Sequence, residues 1–429
     1  MSDLLDVADR LWRGELDLGE RHPLDPATLS HELVEITDGV AFVEAFANVV
    51  ALESGGALGL IDTSSVLSAP SVHQAVRGWN DQPLHTAVYT HGHVDHVFGM
   101  GPFEEETADR GAARATVIAH EDVPRRFDRY GRTLGYNAII NQRQFQLPGL
   151  GWPSSYRRPD VTYSDRMTAH LDGLRLELRH ARGETDDATW VWIPDHRVLC
   201  PGDLFIWASP NAGNPQKVQR YAGDWAAALR EMAGLEPVAM LPGHGLPVIG
   251  AERVTEALTS TAELLEHLEA ATLDLMNEGA RLNDVIHAVE VPAHLADKPW
   301  LQPVYDEPEF VVRNVWRLFG GWWDGNPANL KPASESAVAG EMAALAGGAD
   351  RLAARARELA VAGDLRLACH LAEMAALAAP DDRTVHEIRG EVYEQRMKLE
   401  RSTMSRGVFR AAANDSRSSP NQRFGDEKT

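Results

Sequence analysis

Six consecutive residues, His91-Gly92-His93-Val94-Asp95-His96, hold four side chains able to ligate a metal, directly behind the strand-like run Thr86-Ala87-Val88-Tyr89-Thr90. Packing three imidazoles and a carboxylate together costs desolvation and repulsion that a cation relieves. Neutral imidazole nitrogens and a carboxylate suit Zn²⁺ or a similar divalent ion, and this density of donors points to two ions rather than one. Three later positions offer further donors: Glu184 in Ala181-Arg182-Gly183-Glu184-Thr185, Asp203 in Pro201-Gly202-Asp203-Leu204-Phe205, and His244 in Leu241-Pro242-Gly243-His244-Gly245. Singly each reads as a turn residue. In series behind the hexapeptide they read as a metal site.

The elements that must position them are apolar runs that end in glycine and release a donor at their exit. Leu174-Arg175-Leu176-Glu177-Leu178 alternates as a strand ahead of Glu184; Trp190 to Ile193 and Val198 to Cys200 precede Asp203; Val238-Ala239-Met240 precedes His244. Upstream, strand signals at 40–43, 48–52 and 57–61 and a helix over 71–79 lead into the hexapeptide strand, after a short amphipathic helix from Leu4 to Trp12. Residues 103–170, rich in Arg and Gly, carry few strand signals and read as an elaborated insertion over the site. Beyond His244 the period changes to helical, through Val254, Leu258, Leu265 and Leu268, with prolines at 292, 299, 303 and 308 cutting short pieces. Residues 336–399 read as helices broken at Gly363-Asp364 and at Ala379 to Asp382; one such helix pair must cover its apolar face on a neighbouring domain or a second chain. From Arg401 the chain turns polar and reads as a disordered tail. The expected division is an N-terminal helix and connector (1–30), a catalytic domain (31–250), a helical domain (251–398) and the tail (399–429).

With 429 residues, 44% of them hydrophobic, the chain has enough apolar material for more than one core. A net charge of −22 argues against nucleic acid or an anionic membrane surface as partner. Two cysteines, Cys200 and Cys369, make no disulfide framework. The N-terminus lacks a basic-then-apolar signal segment and no run is long enough to span a membrane, so a cytoplasmic location is expected.

Residues from 35 to 250 resemble the metallo-β-lactamase superfamily of hydrolases, whose ligand series is His-x-His-x-Asp-His, then His, Asp and His. Where most of that superfamily has Gly-His-Thr, this chain has Gly183-Glu184-Thr185, a substitution similar to the alkylsulfatase (type III sulfatase) branch. Asn137-Ala138 with Arg143 and Phe145, and above all Gly321-Trp322-Trp323-Asp324-Gly325-Asn326-Pro327-Ala328-Asn329-Leu330, resemble segments of the same branch, the second lying in its dimerisation domain. The resemblance implies an α/β fold, an αβ/βα sandwich followed by an all-α dimerisation domain, and a homodimer. It implies two zinc ions: His91, His93 and Glu184 hold one, Asp95, His96 and His244 the other, with Asp203 bridging. Asp95 and Asp203 are the expected catalytic carboxylates, Asp95 orienting or accepting a proton from a metal-activated water. Glu184 adds negative charge and should make the pair less electrophilic.

For the substrate's anion, Asn211 matches the branch's pattern, whereas its His and Arg have no counterparts in the stretch 209–221; Lys217 or Arg220 could supply the cation, and Arg143 and Asn137 are further candidates. His120 and His180 read as structural rather than ligating. The implied activity is hydrolysis of alkyl sulfate esters. A phosphodiester, lactone or thioester substrate, or a relative without turnover, are the alternatives.

Overall fold

The computed structural model describes residues 3–16, 24 and 29–418. Among the described residues, thirteen strands form two sheets. The first runs in spatial and chain order through β1 (Leu33–Thr37), β2 (Val40–Val43), β3 (Val49–Ser54), β4 (Ala57–Ile61), β5 (Leu84–Val88), β6 (Thr116–His120) and β7 (Val161–Tyr163). The second contains β8 (Arg166–Leu171), β9 (Leu174–Ala181), β10 (Ala188–Ile193), β11 (Val198–Ile206), β12 (Ala239–His244) and β13 (Val248–Ile249), in the reverse spatial order from β13 to β8. The helices are α1 (Asp3–Trp12), α2 (Ala69–Trp79), α3 (Val94–Val97), α4 (Gly101–Asp109), α5 (Val123–Arg132), α6 (Leu134–Phe145), α7 (Ala222–Ala233), α8 (Ala251–Asn277), α9 (Leu282–Ala288), α10 (Ala293–Ala296), α11 (Pro308–Gly320), α12 (Pro327–Leu330), α13 (Glu335–Ala346), α14 (Ala349–Val361), α15 (Leu365–Ala378), α16 (Arg383–Leu399) and α17 (Thr403–Arg417).

Two compact units result. The first comprises residues 1–132 and 153–321, the second 133–152 and 322–429. In the first, the period-two alternation of the strands sorts side chains between two cores. Val40, Phe42, Val50, Leu52 and Ile61 face the second sheet, meeting Leu171, Leu178, Trp190 and Val191. Their neighbours Ala41, Val43, Ala51, Leu58 and Leu60 pack under α2 and α4 through Val72, Val76 and Phe103. On the other side α7 and α8 cover the second sheet with Trp225, Leu229, Leu258 and Leu265. Helices outside two sheets make the expected αβ/βα sandwich. Strands β4 to β7 are parallel, as are β11 and β12, so several strands release their C-terminal ends at one edge. That edge is where such sheets build sites.

In the second unit α13 to α16 pack as helix pairs around Ala353, Ala356, Ala368, Ala372 and Val392, and α6 packs on α17. Asp364 and Asp382 cap α15 and α16 through their side chains, at the two breaks the sequence marks.

Three expectations need correction. The insertion read over 103–170 contains β6 and β7, which complete the first sheet; β6 ends at His120, and β7, three residues long, carries too little pattern to be seen alone. The boundary expected at 250 falls at 321, because α8 and α11 send Val254, Leu268, Val311, Val312 and Val315 into the sandwich core. The tail expected from 399 forms α17, whose buried Met404, Ala411 and Ala413 gain from tertiary packing what its polar composition does not provide. Residues 419–429 lie outside the described residues.

Candidate metal centre

β5 ends at Val88, and the chain carries His91 and His93 before entering α3, which bears Asp95 and His96. Glu184 leaves β9, Asp203 lies within β11 and His244 ends β12. All seven donors converge. Ligand atoms of His91, His93, Glu184 and Asp203 lie within 4.8 Å of one another, as do those of Asp95, His96 and His244. Asp203 also reaches the second group: its carboxylate stands 3.6 Å from His91 Nε2, 3.4 Å from His96 Nε2 and 3.4 Å from His244 Nε2. Asp95 is 3.5 Å from His244 Nε2 and 3.9 Å from His96 Nε2.

The surrounding hydrogen bonds set which ring nitrogen faces inward. Asp62, buried at the end of β4 with φ 58°, accepts from the Thr90 N–H and the Thr90 hydroxyl, each at 2.7 Å. His96 Nδ1 donates to the same carboxylate at 2.7 Å. Since the Thr90 hydroxyl is spent on Asp62, its oxygen accepts from His91 Nδ1 at 3.0 Å. His244 Nδ1 donates to the Phe46 carbonyl. Three Nε2 lone pairs are therefore aimed into the cluster, an orienting scheme typical of ligating histidines.

Backbone supports complete the frame. Asp187 accepts from Gly92 N–H at 3.1 Å and from Arg126 Nε at 2.7 Å, tying the His91–His93 turn to α5. Asn48 donates to the carbonyls of Pro242 and Gly245 at 3.0 and 2.8 Å, fixing the loop around His244. Gly243 has no alternative: a Cβ there would stand 2.2 Å from Asp203 Oδ1 and 2.7 Å from the Gly202 carbonyl carbon. None of Asp62, Asn48, Arg126 and Asp187 was singled out in the sequence. Asp62 alone left a trace, as an acid at a strand exit, the pattern that marked Glu184.

The donor set fits two divalent cations. Asp203 Oδ1 is buried and makes no hydrogen bond among the described residues. His91 Nε2 lies 2.8 Å from His93 Nδ1, and His96 Nε2 3.3 Å from His244 Nε2, so imidazole nitrogens crowd together within each donor group. Burial would raise the Asp203 carboxyl, but His96, His244 and His91 hold it well below its ordinary value. Burial would lower His96, but Asp203, Asp62 and Asp95 hold it well above. Burial, with His96 beside it, pushes His91 down to about 4. Burial pushes Glu184 up to about 8 against the pull of Arg220.

The expected substrate residues part company. Arg220 is buried, its Nη1 donating to Glu184 Oε1 at 2.8 Å and to the Asn211 carbonyl. Asn211 donates its amide nitrogen to the same Glu184 oxygen. Lys217, half-buried, makes no ion pair among the described residues; burial, with Arg220 nearby, pushes it down to about 8 against the pull of Asp95 and Glu184. The loop bearing them lies so close to α11 that a Cβ on Gly213 would stand 2.1 Å from the Phe310 carbonyl carbon. Asn137 and Arg143 sit on α6, in the second unit; Asn137 is buried and accepts from Asn141 Nδ2 at 3.1 Å. His120 and His180 stack at 3.8 Å and bond the carbonyls of Ser164 and Ala188, outside both donor groups.

Comparison with known proteins accords with this geometry. Residues 43–244 match the metallo-beta-lactamase superfamily profile and residues 281–419 the alkyl sulfatase dimerisation profile. A linear primary-alkylsulfatase from Pseudomonas sp. is 27% identical over 368 residues, covering 80% of this chain and 69% of that protein. The alkyl/aryl-sulfatase BDS1 of Saccharomyces cerevisiae is 25% identical over 397 residues, covering 85% of this chain and 60% of that protein. The chain thus spans under two thirds of the yeast protein's length. Among solved structures, the stereoselective inverting sec-alkylsulfatase Pisa1 from Pseudomonas sp. superposes with a TM-score of 0.80 at 23% identity, over 92% of this chain and 67% of that one. The chain thus carries a metallo-beta-lactamase superfamily region over residues 43–244, followed by an alkyl sulfatase dimerisation region over residues 281–419.

Proposed function

We propose that this chain is a binuclear zinc hydrolase that cleaves alkyl sulfate esters with water and works as a homodimer in the cytoplasm. The observation that carries the reading is Asp203, whose carboxylate stands within 3.6 Å of imidazoles from both donor groups. His91, His93 and Glu184 would hold one cation and Asp95, His96 and His244 the other, with Asp203 within reach of both groups. Bound zinc supplies Lewis acidity that brings the pKa of water toward neutrality and stabilises charge on a leaving oxygen.

The chain's own groups do the rest. Asp95 is the ligand carboxylate open to solvent, with a side-chain exposure of 20% against 7% for Asp203, and so is placed to accept a proton. Lys217, free of ion pairs, anchors the ester's anionic group. Exposed Val218, next to Lys217 in the chain, offers apolar surface for the alkyl arm. Neither Asn137 nor Arg143 enters this scheme. Both cysteines are free thiols, which suits a reducing compartment.

One observation favours a second reading, a metallo-hydrolase of an uncharged lactone or thioester. Arg220 is committed to Glu184, so the bidentate fork that best grips a tetrahedral anion is not on offer. Zinc-loaded protein assayed side by side on dodecyl sulfate, a secondary alkyl sulfate, a phosphodiester and a lactone decides between them. Release of inorganic sulfate is expected; its absence while another ester turns over refutes the sulfatase reading.

A further inference from the structure

Arg220 is a large side chain, 2% exposed, beside a cluster of candidate ligands. A buried guanidinium is costly unless its surroundings repay the desolvation. Here its Nη1 donates to Glu184 Oε1 at 2.8 Å and to the Asn211 carbonyl, while Asn211 Nδ2 donates to that same Glu184 oxygen. The two loops are also joined through the backbone, Tyr221 N–H donating to the Gly183 carbonyl at 3.0 Å. Helix α11 fixes the arginine's main chain: Asn314 Nδ2 donates to the Arg220 carbonyl at 2.9 Å, and Arg317 holds Asn314 and Gln219 at 3.1 and 2.9 Å. Glu184 is the carboxylate to which the guanidinium hydrogen-bonds among the described residues.

We infer that Arg220 is a positioning residue for a metal ligand: it supplies the charge and the hydrogen bond that fix the Glu184 carboxylate in its cation-binding orientation. This rests on the reading of Glu184 as a ligand. It assigns Arg220 to the metal rather than to the substrate. It also revises the expected consequence of a glutamate at this position, since the guanidinium offsets the negative charge that would otherwise temper the metals. A neutral imidazole at 184 would need no such counter-cation.

The test is a double-mutant cycle on the full chain, comparing wild type, Arg220→Met, Glu184→His and the double variant. Zinc affinity is read by competition with a chromophoric chelator, and KM for dodecyl sulfate is read in parallel. Arg220→Met should weaken the tighter-coupled zinc by about 10–100-fold in the wild-type background, as loss of a ligand's orienting partner does. In the Glu184→His background the same change should cost no more than about threefold, since the coupling it removes is already gone. Equal losses in both backgrounds overturn the inference and leave Arg220 as packing. Unchanged zinc affinity with a raised KM overturns it in favour of substrate binding. A wild-type chain that binds no zinc overturns the metal site itself, and the inference with it. Should Arg220→Met fail to fold, Arg220→Gln, which keeps a donor near Glu184, carries the same comparison.

Discussion

Asp62 does no chemistry yet should control the second cation. Its Oδ1 accepts the Thr90 N–H, and its Oδ2 accepts both the Thr90 hydroxyl and His96 Nδ1, all at 2.7 Å. Asp62→Asn keeps an oxygen for the Thr90 N–H, because the reverse orientation would set two donors against each other. The amide nitrogen then faces His96 Nδ1, which must become an acceptor, and the ring proton moves to Nε2. That is the nitrogen standing 3.3 Å from His244 Nε2 and 3.4 Å from Asp203. A ligand whose lone pair carries a proton binds only after losing it. The expected cost is about 10–100-fold in affinity for that cation, or about 1.4–2.7 kcal/mol at 1.36 kcal/mol per tenfold. Fold stability should fall by only about 1 kcal/mol, the difference between a charged and a neutral acceptor. Asp62→Ala differs sharply: it strands the Thr90 N–H and the His96 Nδ1–H, at about 1–3 kcal/mol each. Chelator competition gives the affinity, thermal unfolding the stability, and ¹⁵N-edited NMR of the imidazoles the tautomer. Wild-type affinity in Asp62→Asn with His96 still protonated on Nδ1 would refute the reasoning.

Lys217 sets a pH limit. Its ammonium, pushed down to about 8, loses charge above that pH, so KM for an anionic ester should rise on the alkaline side while Lys217→Arg moves the rise to higher pH. Steady-state KM against pH checks this; an unchanged alkaline limb in Lys217→Arg rules the lysine out. For the dimer, Val338, Met342 and Leu345 line one exposed face of α13 at 45, 38 and 82% exposure, spaced as i, i+4 and i+7. Val338→Glu with Leu345→Glu should convert a sedimenting dimer to monomer, and a dimer that survives both charges lies elsewhere.

The candidate donors were readable because most of them follow or end a strand whose pattern is local, Asp203 lying inside its own strand. The hexapeptide needed no context. Glu184, Asp203 and His244 needed only their order in the chain. What escaped was whatever depends on partners distant in sequence. Asp62 is one acid among many until His96 folds against it from 34 positions away. Asn48 is the first residue of a strand signal until Pro242 and Gly245 fold against its side chain. Arg220 read as a loop cation because charge shows in sequence and burial does not. In the fold, β7 escaped because a strand of three residues is fixed by its neighbours. α17 escaped because polar composition hides a helix that packing stabilises.

Helix α11 has a further consequence, for how such a protein can change over time. The dimerisation profile begins at 281, yet the compact sandwich unit runs to Gly321. The forty-odd residues shared by both descriptions include Asp306, which accepts from Gly213 N–H at 2.6 Å, and the Asn314 and Arg317 that brace Arg220. Exchanging the helical region as a cassette from 281, by recombination or by design, would therefore also replace the side chains that brace the loop of Gly213 and Arg220. A junction drawn after Gly321 would leave that bracing in place.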